Sequence, residues 1–99
     1  MKKIKRLVKL IDDEIEGAEC YAEKYLESKA DGDSDMASRY HDMANDELKH
    51  MGYLHDYTVK EIEKISKVFQ PPSDMINKWD EEHEKYLDKV DYIKSMLNA

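Results

Sequence analysis

Apolar side chains recur at steps of three and four along almost the whole chain. In the first stretch they fall at Ile4, Leu7, Val8, Ile11, Ile15, Ala18, Tyr21, Ala22 and Tyr25. That period predicts an α-helix with one buried stripe over about residues 3–29. The pattern stops at Ala30-Asp31-Gly32-Asp33-Ser34-Asp35, a polar stretch rich in helix-capping residues, where Ser34 or Asp35 is expected to cap the next helix. A second stripe, through Ala37, Tyr40, Met43, Ala44, Leu48, Met51, Leu54, Thr58, Ile62, Ile65 and Val68, predicts a helix over about 35–69. Gln70-Pro71-Pro72-Ser73 closes it, because a residue before proline is disfavoured as helical. The third stripe is Met75, Ile76, Trp79, His83, Tyr86, Leu87, Val90, Ile93 and Leu97, a helix over about 74–97 with Ser73 as its cap. The short first loop makes the first two helices antiparallel neighbours. The third either folds back on that hairpin or reaches across to a partner chain. The expected architecture is all-α, a long hairpin plus a C-terminal helix, in a single domain over 1–99.

Composition sharpens this picture. The 99 residues include only three Gly and two Pro, as long uninterrupted helices require. A chain this short buries a limited core, so association with a second copy is a natural source of stability. The formal charge of −7 argues against sequence-independent binding of nucleic acid, which needs phosphate-neutralising Lys and Arg. It suits the handling of cations. No run approaches the roughly 20 apolar residues of a spanning helix, and no apolar region follows the basic start MKKIKRLVKLIDDE. Neither a nucleic acid nor a membrane is therefore expected as a partner. Cys20 stands alone, so no intrachain disulfide forms, which fits a reducing, cytoplasmic setting. It is expected as a buried thiol rather than a nucleophile.

Three residues carry candidate chemistry. Glu14 lies in the first stripe, three after Ile11 and four before Ala18. Glu47 lies in the second, three after Ala44 and four before Met51, and His50 follows it one turn later. Carboxylates on a packed face are expensive unless something compensates them. Counted from the turn at Gly32, Glu14 is 18 residues back, Glu47 is 15 forward and His50 is 18 forward. Both helices rise about 1.5 Å per residue, so the three side chains fall within one turn of the same height. A two-fold axis through this point would give four carboxylates and two imidazoles, the donor inventory of ferritin-like di-iron and di-manganese sites. The hairpins of two chains would then form a four-helix bundle. Carboxylates are hard ligands that bridge cations, and imidazole adds a borderline donor that suits iron.

The segments Glu14-Ile15-Glu16-Gly17-Ala18-Glu19-Cys20-Tyr21 and Ala44-Asn45-Asp46-Glu47-Leu48-Lys49-His50 resemble the ferritin-like pattern of rubrerythrins. They are closer still to the encapsulated ferritins, whose subunit has a single ligand-bearing hairpin. The resemblance covers roughly residues 4–58. It implies metal ligands Glu14, Glu47 and His50, with Tyr21 as a hydrogen-bonding partner behind them. It implies Asp13 and Glu16 as acidic residues near the metal's access route. It also implies an iron-oxidising ferroxidase site between two subunits, with two iron ions per dimer, a role in iron storage, a homodimer or higher oligomer, and association with an encapsulin shell. Gly17 and Lys49 depart from the family pattern, and no shell-targeting extension is recognisable after Leu97. Zinc, manganese or calcium are substitutes such a site would accept. The competing expectations are a zinc- or manganese-binding protein on the same bundle and a non-catalytic helical module of the phage-assembly kind.

Other features read as structural. His83, with Asp80 three before it, is expected at the edge of the core, level with about residue 59 of the second helix if the chain folds back at Pro71. His41 and His55 are expected to be solvated or hydrogen-bonded, and Trp79 to anchor the third helix. Asp31-Gly32-Asp33-Ser34-Asp35 imitates the start of a calcium loop. It has Met36 and Asp42 where that loop needs Gly and Glu.

Overall fold

The computed structural model describes residues 2–99. The chain forms three α-helices, α1 (Lys2–Ala30), α2 (Ser34–Val68) and α3 (Ser73–Leu97), with no strand among the described residues. Each helix boundary lies within a residue of the position read from periodicity. α3 folds back along the α1–α2 hairpin and packs mainly on α1, giving a rod of 55 × 18 × 17 Å. No helix is long and apolar enough to cross a membrane.

The first turn is built by two residues. Gly32 adopts a positive φ of 76°, and the Gly32 and Asp33 amides donate to the carbonyls of Lys29 and Ser28. This closes the C-terminus of α1 in the left-handed geometry that glycine adopts without steric cost. Asp33 then turns outward as the cap of α2, its carboxylate accepting from the Met36 amide at 3.1 Å. The cap is therefore one residue earlier than Ser34 and two earlier than Asp35, because the tight three-residue loop leaves Ser34 already helical. Ser73 likewise lies inside α3. Pro72 holds the cap position and supplies no side-chain hydrogen bond.

The core runs along α1, whose Ile4, Leu7, Val8, Ile11, Ile15, Ala18 and Ala22 are all buried. α2 contributes the smaller Ala37, Ala44, Met51 and Thr58, and α3 contributes Met75, Trp79, Ile93, Met96 and Leu97. Small residues at 18, 22, 37 and 44 let the two hairpin helices approach closely. Three positions of the expected stripes are exposed: Met43, Val68 and Leu87. α2 and α3 each touch only part of the central seam, so the outer edges of their stripes reach solvent. Cys20 is also exposed, correcting the expectation of a buried thiol. It follows the fully buried Ala18 by two residues, about 200° around the helix.

Candidate metal centre

α1 meets its neighbours along two seams. Toward α3 it presents Asp12, bonded to Lys85 Nζ at 2.8 Å, and Glu19, which accepts from Lys89 Nζ at 2.9 and 3.1 Å. Two residues further on, and so about 200° round the helix, lie Glu14 and Tyr21. These belong to a second seam, with α2, on the side away from α3. Its contacts repeat at three- and four-residue steps. Lys3 pairs with Glu61 at 3.1 Å, Glu14 meets His50, Gly17 meets Glu47, and Tyr21 stacks on Tyr40 with ring centroids 6.3 Å apart.

At the middle of this seam the three expected ligands converge. His50 Nδ1 stands 3.4 Å from Glu14 Oε2 and 3.9 Å from Glu47 Oε1. One donor atom from each residue lies within 4.8 Å of the other two. The equal count of residues on either side of Gly32 has this physical result. The two helices are straight enough for sequence distance from the turn to become height.

The electrostatics of the cluster are unbalanced. Glu14 Oε2 is fully buried and has no hydrogen-bond partner. The Glu47 carboxyl is pushed up to about 7. Hydrogen bonding to Glu14 is the main cause, followed by burial and by the charge of Glu14, while His50 opposes them. Two carboxylates thus face each other where a cation would satisfy both. Gly17 leaves room for Glu47 to lie against α1. A Cβ there would stand 3.2 Å from Glu47 Oε2, so the bare backbone of α1 is the floor on which that carboxylate rests. The imidazole forms the open side of the cluster. The His50 side chain is 54% exposed, against 26% for Glu14 and 24% for Glu47.

The remaining expected site residues are dispersed. Tyr21 packs on Tyr40, and among the described residues no hydrogen bond joins its hydroxyl to the three ligands. Asp13 is exposed and pairs with Lys9 at 3.3 Å; Glu16 is exposed. His41 hydrogen-bonds the Leu97 carbonyl and Asn45, both at 3.1 Å. His83 meets His55 at 2.7 Å, one turn from the level of residue 59, because α2 ends at Val68 and the reversal centres two residues earlier than Pro71.

Sequence reasoning missed one titratable cluster. Glu82, not His83, is the inward residue of its turn, 6% exposed and beside Asp12 and Lys85. Burial first, then hydrogen bonding to Asp12, raises its carboxyl to about 7. Its spacing, three after Trp79 and four before Tyr86, was the available signal.

No protein-family model, curated protein or solved structure matches this chain.

Proposed function

We propose that the chain is a ferritin-like metal protein that binds and oxidises Fe(II) at a site shared between two copies. The observation that carries this reading is the convergence of Glu14, Glu47 and His50 on one point of the seam, with Glu14 Oε2 buried and making no hydrogen bond. The donor set fits a hard or borderline cation, since two carboxylates and one nitrogen suit iron better than a soft metal. Three protein donors leave a cation under-coordinated, and the seam holding them is uncovered. Leu10, Met43 and Tyr57 lie on that face and are 46%, 40% and 44% exposed. A second copy laid against this face would cover the apolar flanks and double the donors to four carboxylates and two imidazoles.

In this reading Glu14 and Glu47 bridge or terminate, and each His50 caps one metal. Iron is the substrate: two Fe(II) each lose one electron to O₂, which leaves with two protons as hydrogen peroxide. A cation would displace the proton from the raised Glu47 carboxyl, so metal binding is expected to release protons and to tighten as pH rises through 7. Residence inside an encapsulin shell and a role in iron storage would follow from the family resemblance.

The test is Fe(II) added to metal-free protein under argon, followed by air. Near-ultraviolet absorbance is expected to grow with the protein and to fall to the protein-free rate in Glu14→Ala and His50→Ala. Equal rates in wild type and both variants, all folded by circular dichroism, would overturn the assignment.

A further inference from the structure

We infer that Gly17 is a positioning residue for Glu47: its missing side chain lets one oxygen of that carboxylate lie against the α1 backbone while the other faces the cluster. The inference rests on the proposed metal centre and adds to it a residue that touches no metal. Gly17 stands in the interior of a 29-residue helix, where glycine is less favourable than alanine because its freer backbone must be ordered. Its own conformation does not call for glycine, since among the described residues only Gly32 has a positive φ. Close helix packing does not call for it either. Ala18, Ala22, Ala37 and Ala44 are buried where α1 and α2 approach, and alanine is small enough at each of them.

What distinguishes position 17 is its neighbour. A Cβ there would have Glu47 Oε2 at 3.2 Å, Cδ at 3.5 Å and Cγ at 3.7 Å as its three nearest atoms. All three belong to the side chain of one candidate ligand, and none is backbone. The other carboxylate oxygen, Oε1, stands 3.9 Å from His50 Nδ1. Glu47 therefore rests Oε2 on α1 and turns Oε1 toward the cluster. An alanine would make it give way by a few tenths of an ångström. Glu47 has the freedom to do so, because it is the end of a flexible side chain and is 24% exposed. The fold then loses little. The donor set loses more, since its atoms meet within 4.8 Å of one another and metal affinity is sensitive to what supports and orients each ligand. Glycine at this position thus trades helix stability for ligand placement.

The test compares Gly17→Ala with Gly52→Ala, the same change in the interior of α2, where a Cβ would meet nothing nearer than the Tyr86 hydroxyl oxygen at 4.0 Å. Both variants gain helix propensity. Fe(II) affinity is measured under argon by titration calorimetry, and the stability of the metal-free protein by its urea midpoint. Gly17→Ala is expected to bind Fe(II) about tenfold more weakly than wild type, or weaker still, with its midpoint unchanged or raised. Gly52→Ala is expected to keep the wild-type affinity with a raised midpoint. Wild-type affinity in Gly17→Ala, or an equal loss in both variants, would overturn the inference. So would weakened binding that comes with a lowered midpoint, which would make Gly17 a packing residue. A wild type that binds no Fe(II) would instead overturn the metal centre itself, and this inference with it.

Discussion

Glu14 lies between the buried Ile11 and Ala18 on α1, with one carboxylate oxygen enclosed, free of hydrogen bonds and 3.4 Å from His50 Nδ1. An ion so placed costs folding free energy unless a partner is supplied. Removing it should therefore leave the metal-free protein as stable as wild type or more so, by up to about 1–3 kcal/mol, read by urea denaturation. The same Glu14→Ala change should abolish any stabilisation by added metal. His50→Ala should weaken metal binding by at least the roughly 10–100-fold typical of losing even an outer partner of a metal ligand, measured by titration calorimetry. The identity of these residues was legible because periodicity fixes which face a side chain takes, and counting from Gly32 fixes its height. The contact of Gly17 with Glu47 was not legible. A glycine within a helix gives no sign of what rests against it, and a missing Cβ is visible only once two helices are packed.

The helices themselves were readable because each has an unbroken three-and-four stripe and a hard stop, Gly32 for α1 and Pro71-Pro72 for α2. Their caps were less so, since Asp33, Ser34 and Asp35 all have capping side chains and only loop geometry chooses Asp33. Asp33→Ala is expected to lower stability by about 1 kcal/mol, checked by thermal or chemical denaturation. The docking of α3 was the least legible element. It joins α1 through its buried Met75, Trp79, Ile93, Met96 and Leu97, with Lys85 and Lys89 adding ion pairs to Asp12 and Glu19. Glu82 gives this docking a pH dependence. Its carboxyl titrates near 7 in the fold against an ordinary value of 4.5, so the folded state binds the extra proton between those values. Stability contributed by protonated Glu82 is full below about 4.5 and is lost as pH rises through 7. Glu82→Gln keeps the shape without the charge. It should flatten the fall in melting temperature between pH 5 and 8, a difference of about 1–3 kcal/mol at the alkaline end. Burial disfavours charged His55 and lowers its pKa from 6.5, so its effect has the opposite sign, weakening the fold as pH drops.

The whole molecule is a rod with two unlike long faces. One is closed by α3 and zipped by ion pairs. The other carries Glu14, Glu47 and His50 among exposed apolar side chains. Its net charge of −7 suits the gathering of cations. If the donors are split between copies, as proposed, metal and association would be linked: whatever binds the dimer alone would pull monomers into it by mass action. Sedimentation velocity of metal-free protein under argon, with Fe(II) added stepwise and iron counted per chain, tests this most directly. Conversion to a dimer or a multiple of it is expected at about one iron per chain, and is expected to be absent in His50→Ala. A protein that takes up no iron, or takes it up without changing its mass, would contradict the shared centre.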